Sequence, residues 1–152
     1  MTFKALKPHV SKIIENESLE VDERLQEICN LLKENVAHYN WVGFYFRNGN
    51  KEELLLRRYA GKPTDHTVIP FGRGICGQVA LSNQNFVVPD VQAQENYIAC
   101  SIDVKSEIVI PLFVDGKNMG QIDIDSNTAD PFTEEDERFL EWVNKKVAAI
   151  LE

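Results

Sequence analysis

Two of the three cysteines in this sequence lie in segments suited to thiol chemistry. Cys76 lies within Gly72-Arg73-Gly74-Ile75-Cys76-Gly77, where glycines let the backbone approach a ligand closely. A cysteine near a helix N-terminus has its thiolate stabilised by the helix dipole, which favours reactivity. A small cysteine packed at a helix start is at least as common an explanation, because free cysteine is among the most buried residue types.

Cys100 ends a long polar segment and is followed by acidic residues at Asp103 and Glu107. Nearby anions disfavour a thiolate, so a nucleophilic Cys100 needs a substrate that contributes to its own activation. A sulfoxide does this, because protonation of its oxygen by a carboxylic acid makes its sulfur electrophilic. The third cysteine, Cys29, lies on the apolar stripe of a predicted helix and is expected to be buried core.

Carboxylates form the second group with chemical potential. In Gln121-Ile122-Asp123-Ile124-Asp125 a strand places Asp123 and Asp125 on one face, and alternation alone favours a solvated acidic face. If the preceding hairpin closes with an odd loop such as Asp115-Gly116-Lys117, Glu107 lies opposite Asp125 on the same face; with a two-residue turn it faces the other way. Three shielded carboxylates on one face would leave at least one protonated near neutrality, as a general acid.

Two aromatic residues, Trp41 and Tyr45, lie in one predicted strand and could form a wall of an apolar pocket. Single aromatic residues in a strand are more often part of the ordinary core. The three histidines show no metal-ligand spacing, so we predict no metal site and no cofactor.

These residues must be positioned by a small α+β layer structure. Apolar spacing predicts helices over the first 38 residues or so, and Thr133 is a good N-cap for a C-terminal helix. A short helix is expected after Gly77, and long loops over 61–77 and 89–106. Strands are predicted over 41–46, 54–59, 85–88, 107–113 and 119–125.

Composition is that of an ordinary globular protein and indicates one domain over residues 1–152. The net charge of −8 disfavours nucleic acid and anionic lipid as partners. No apolar run is long enough for a bilayer span and no secretory signal is visible, which predicts a cytoplasmic protein without membrane contact.

Taken together, several runs resemble the free methionine-(R)-sulfoxide reductases, which are stand-alone GAF domains. The similarity extends from about residue 40 to the C-terminus, in order and with matching spacing. The runs are Asn40-Trp41-Val42-Gly43-Phe44-Tyr45, Gly72-Arg73-Gly74-Ile75-Cys76-Gly77, Ile98-Ala99-Cys100, Ser106-Glu107-Ile108-Val109-Ile110-Pro111-Leu112 and Asp123-Ile124-Asp125-Ser126.

The resemblance implies a PAS-related, mainly antiparallel six-stranded sheet with N- and C-terminal helices packed on one face, commonly in a homodimer. It implies that Cys100 attacks the sulfoxide sulfur, releasing methionine and leaving a sulfenic acid. A second cysteine then forms a disulfide that thioredoxin reduces.

By the same resemblance, substrate binding and proton handling fall to three carboxylates and two aromatic residues. These are Glu107, Asp123, Asp125, Trp41 and Tyr45.

This sequence differs from the family pattern at several positions. The family usually carries another cysteine ten residues before Cys76, and His66 stands there instead. Tyr97 and Ser101 replace the usual residues on either side of Ile98-Ala99-Cys100. Cys76 is then the expected resolving thiol, and the alternative is a non-catalytic GAF module that binds a small ligand.

Overall fold

A computed structural model describes residues 1–94 and 103–151. The helices are α1 (Phe3–Glu15), α2 (Val21–Asn35), α3 (Gly74–Ser82) and α4 (Glu134–Leu151), with a short 3-10 turn at Val91–Ala93. The strands are β1 (Trp41–Arg47), β2 (Glu53–Ala60), β3 (Val68–Pro70), β4 (Phe86–Val88), β5 (Ser106–Val114) and β6 (Lys117–Ser126). In the described part of the chain, no helix is both long and apolar enough to cross a membrane.

The strands form one six-stranded sheet in the order β3-β2-β1-β6-β5-β4, and every pairing is antiparallel. Helices α1, α2 and α4 cover one face, where their apolar stripes pack on the inward residues of β1, β5 and β6. Helix α3 packs on the opposite face, against β5 and β6. The predicted α+β architecture, with terminal helices on one face, is therefore confirmed.

The segment 61–77, predicted to be a single loop, contains regular structure. Residues 68–70 pair with β2, and α3 begins at Gly74 rather than after Gly77. The first turn of α3 is buried throughout, so it lacks the one-sided apolar pattern by which a surface helix is predicted. Cys76 thus lies in the first turn of a helix and not in a loop.

In the hairpin between β5 and β6, Glu107 lies opposite Asp125 as predicted, but this pairing is produced by a bulge and not by an odd-numbered turn. The turn has two residues, since Val114 pairs with Lys117, and such a turn alone would point Glu107 away from Asp125. A bulge between Leu112 and Phe113 shifts the pairing by one residue. From there inward Glu107 faces Asp125, so the predicted convergence of Glu107 with Asp123 and Asp125 on one face is confirmed.

We expect Gly120→Ala to destabilise the protein more than Gly49→Ala. A Cβ at Gly120 would lie 2.3 Å from the backbone oxygen of Tyr45, so the β1–β6 pairing would have to separate. Gly49 has open space around it and carries only the strain of its φ of +56°, about 1 kcal/mol for an alanine. Urea unfolding should show a loss of at least ~2 kcal/mol for Gly120→Ala. Equal losses for the two variants would contradict the close strand contact.

Candidate active site

Three carboxylates lie buried on the sheet face that α3 covers. Asp123 and Asp125 are each 1% exposed and Glu107 is 5% exposed. Glu107 is directly opposite Asp125 across the β5–β6 pair, while Asp123 and Asp125 are opposite Gly43 and Trp41 of β1. Residues opposite each other share a face, so the central strands of the sheet place all three acids side by side.

The thiol of Cys76 joins this cluster from the first turn of α3. Its Sγ lies 3.9 Å from Oε2 of Glu107, the distance of a weak S–H donor to a carboxylate. One ligand atom each from Cys76, Glu107 and Asp123 lie within 4.8 Å of one another. Gln121 Nε2 donates to the backbone oxygen of Cys76 at 3.1 Å and holds the helix start against β6.

Burial decides the protonation of this cluster. Desolvation, followed by the charges of Asp123 and Glu107, raises the pKa of the Cys76 thiol well above its usual value. Desolvation also raises the pKa of Asp123, although its hydrogen bonds with Glu107 and Cys76 oppose that shift. Cys76 is therefore a protonated thiol at rest, and Asp123 retains its proton to a higher pH than an exposed aspartate does.

The aromatic residues of β1 hold the loop over residues 61–67 across the same face. Trp41 Nε1 donates to the backbone oxygen of Lys62 at 3.0 Å, and the Tyr45 hydroxyl donates to that of His66 at 2.8 Å. The Trp41 indole stacks on Tyr59, with ring centroids 5.5 Å apart, and lies over Gly43. A Cβ at Gly43 would be 2.3 Å from the indole, so glycine is required for this close approach.

A cavity of about 10 Å³ lies between this loop, α3 and the carboxylates, which is room for about one water molecule. The residues lining it come from the loop and β3, from the start of α3 and from the central strands. They are Tyr45, His66, Ile69, Arg73, Gly74, Ile75, Cys76, Glu107 and Asp123.

The predicted site residues that the structure describes lie on one face of the sheet, the face that α3 covers. Cys100 lies outside the described residues, so its predicted role stays a prediction. Cys29 is fully buried on the other sheet face, in the core beneath α2, and burial raises the pKa of its thiol. The prediction that Cys29 is buried is thus confirmed.

One residue at the site, Gln121, is not predicted from the sequence, and another, His66, is marked there only as the position of a further cysteine in the family pattern. Gln121 shares the alternation of Asp123 and Asp125, so the same strand periodicity would have included it. His66 lines the cavity from a loop whose path is fixed by hydrogen bonds to its backbone, and no local spacing signals that position.

Comparison with known proteins identifies the class. The GAF domain family matches residues 18–152. The chain is 41% identical over 110 residues to Protein YtsP of Bacillus subtilis, covering 72% of this chain and 67% of that protein. It is 36% identical over 138 residues to the free methionine-R-sulfoxide reductase of Saccharomyces cerevisiae, covering 83% of this chain and 76% of that protein.

A solved structure agrees with these sequence relatives. The free methionine-R-sulfoxide reductase of Neisseria meningitidis, determined in complex with its substrate, superposes with a TM-score of 0.91 at 35% sequence identity. The match covers 97% of this chain and 87% of that chain. Within the GAF domains, this chain belongs to the free methionine-R-sulfoxide reductase family.

The raised pKa of Asp123 predicts how the stability of the protein depends on pH. Because burial raises the folded-state pKa above the ordinary 3.8, the folded protein binds a proton that the unfolded chain has already lost. The stability associated with this group is full at low pH and is lost as pH rises through the raised pKa. Asp123→Asn removes the ionisation, so we expect its melting temperature to exceed that of the wild type at pH 8, with a smaller difference at pH 5.

Asp136 provides a matched buried aspartate with the opposite expectation. It is 2% exposed and accepts hydrogen bonds from the Tyr39 hydroxyl and the backbone N–H of Thr133, both at 2.8 Å. Asp136→Asn weakens these charge-assisted bonds and should cost about 1.5–3 kcal/mol of unfolding free energy. If Asp123→Asn lowered stability at pH 8 as Asp136→Asn does, the desolvation of Asp123 would not dominate.

Proposed function

We propose that this protein reduces free methionine-R-sulfoxide to methionine. The observation that carries the proposal is the convergence of Glu107, Asp123 and the Cys76 thiol within 4.8 Å, buried beneath α3. A cluster of proton-holding acids beside a thiol suits the reduction of a sulfoxide, whose oxygen must be protonated before it leaves. Relatives named for this activity support the same assignment.

The arrangement of polar and apolar groups supports a free amino acid as substrate. Buried carboxylates offer acceptors to an α-ammonium group, and an ionised carboxylate is acceptor-only. Trp41 and Tyr45, on the same sheet face, provide apolar surface for the methyl and side-chain end. A peptide-bound methionine has no ammonium group to pair with these acids, so the free amino acid is favoured.

In the proposed chemistry Cys100 is the nucleophile. Its thiolate attacks the sulfoxide sulfur while a protonated carboxyl of the cluster gives its proton to the sulfoxide oxygen. The sulfur–oxygen bond of the substrate breaks, the oxygen is transferred with its proton to the sulfur of Cys100 as a sulfenic acid, and methionine leaves. The thiolate and one proton are consumed, and the cysteine sulfur is oxidised as the methionine sulfur is reduced.

Cys76 is the proposed resolving thiol. Attack of its sulfur on the sulfenic acid forms a Cys76–Cys100 disulfide and releases water, and a dithiol such as thioredoxin reduces that disulfide. As a protonated thiol hydrogen-bonded to Glu107, Cys76 has an adjacent carboxylate to accept its proton when it attacks. The small cavity requires the loops around it to separate for a methionine-sized ligand to enter.

A second reading, a GAF module that binds a small ligand without turnover, is favoured by one feature. His66 lines the cavity at the position where the family pattern has a further cysteine. The loss of that thiol leaves a binding pocket intact while removing one route for regenerating Cys100. Turnover measurements separate the two functions.

We expect Cys100→Ser to abolish turnover of free methionine-R-sulfoxide with either thioredoxin or dithiothreitol. Cys76→Ser should remove thioredoxin-dependent turnover and spare dithiothreitol-dependent turnover, because a small thiol can attack the sulfenic acid directly. Cys29→Ser, on the opposite sheet face, is the control and should leave both activities unchanged.

Two outcomes would contradict this scheme. Full thioredoxin-dependent turnover in Cys76→Ser would exclude Cys76 as the resolving thiol. A wild-type protein that binds methionine sulfoxide in calorimetry but turns over with neither reductant would favour the binding module.

The proposed role of Glu107 as a proton donor or substrate ligand can be tested by substitution. Glu107→Gln keeps the shape of the side chain but removes its ionisable proton, and should lower kcat/KM by about 10²- to 10⁴-fold. Glu137→Gln is the control, since Glu137 contacts Asn85 at the outer surface of α4. Steady-state kinetics with retained kcat/KM in Glu107→Gln would show that Glu107 neither transfers a proton nor binds the substrate.

A further inference from the structure

We infer that Cys76, Glu107 and Asp123 form a binding site for a thiophilic divalent cation such as Zn²⁺ or Co²⁺. Their ligand atoms lie within 4.8 Å of one another, with Cys76 Sγ and Glu107 Oε2 at 3.9 Å. A tetrahedral zinc ion, with ligand bonds of about 2.3 Å to sulfur and 2.0 Å to oxygen, holds such a pair about 3.5 Å apart. The Cys76–Glu107 pair therefore needs to close by only a few tenths of an ångström, and the ligand atom of Asp123, within 4.8 Å of both, needs to close by at most about 1.5 Å.

An unsatisfied oxygen points to the same conclusion independently. Oδ1 of Asp123 is buried and has no hydrogen-bond partner among the described residues, although the carboxyl group as a whole is hydrogen-bonded to Glu107 and Cys76. The residue is only 1% exposed, so bulk water does not compensate. A cation bound between the two carboxylates and the thiol would supply the missing partner.

The donor set also selects the kind of ion. A cysteine with two carboxylates provides one soft and two hard ligands, which suits Zn²⁺ and Co²⁺, whereas Mg²⁺ and Ca²⁺ require oxygen ligands alone. Binding replaces the thiol proton of Cys76 and any carboxyl proton, so it releases protons. Three protein ligands leave the fourth tetrahedral position open to water.

The ion and a sulfoxide substrate would use the same carboxylates and therefore exclude each other. This mutual exclusion of cation and substrate rests on the proposed function, whereas the cation site itself does not depend on that function. Its test is metal binding by the reduced, full-length protein, measured without substrate.

The experiment titrates reduced, metal-free protein with Co²⁺ and follows the near-ultraviolet charge-transfer band that marks a cobalt–thiolate bond. We expect one equivalent to bind in the wild type, in Cys29→Ser and in Cys100→Ser, and the band to disappear in Cys76→Ser. Zn²⁺ should displace Co²⁺ and abolish the band, and excess Mg²⁺ should not. Circular dichroism establishes that each variant is folded.

A second variant keeps the test decisive if Cys76→Ser does not fold. Asp123→Asn retains the thiol and the side-chain shape, and should weaken Co²⁺ binding at least tenfold. Absence of the band in folded wild-type protein would overturn the site, as would its loss in Cys100→Ser or Cys29→Ser with retention in Cys76→Ser. Unchanged affinity in Asp123→Asn would overturn it as well.

Discussion

Glu107, Asp123 and Asp125 are carboxylic acids packed together away from water, and their desolvation constrains the structure around them. Charges in such an environment are costly unless they are paired, and desolvation accordingly raises the pKa of Asp123. The protein tolerates this cost because strong antiparallel pairing of β5 and β6 holds the acids in place. Catalytic sites commonly combine a perturbed group with a rigid scaffold that prevents its escape to solvent.

The elements that cover the three acids, helix α3 and the loop over residues 61–67, exclude water from them. Helix α3 contributes a nearly uniformly apolar first turn that includes the uncharged Cys76 thiol, and Trp41 and Tyr45 tie the loop over 61–67 across the remaining gap. The opposite sheet face is ordinary core under α1, α2 and α4. One face therefore supplies stability, and the other accommodates unfavourable electrostatics.

Periodicity in the sequence was sufficient to predict the layer architecture and most strands, because alternating β-branched and aromatic residues leave a strong local signal. It was insufficient for the start of α3, whose first turn is buried throughout and lacks that signal, and for the bulge that places Glu107 opposite Asp125. The bulge near Leu112 is not visible in the alternation of apolar and polar residues along the two strands. The proximity of Cys76 to Glu107 depends on the docking of α3 and follows from no spacing along the chain.

The bulge in the β5–β6 hairpin also constrains how this protein can change in evolution. Deleting one residue of β6 so that the bulge is lost leaves Glu107 opposite Asp125, whereas deleting one residue while the bulge remains shifts the pairing of β5 by one position and exchanges its acid-bearing face for its apolar face. A compensating insertion in the same hairpin would be needed to restore the phase. Length variation in this connection should therefore either absorb the bulge or occur in pairs of residues, even though the turn itself is exposed to solvent.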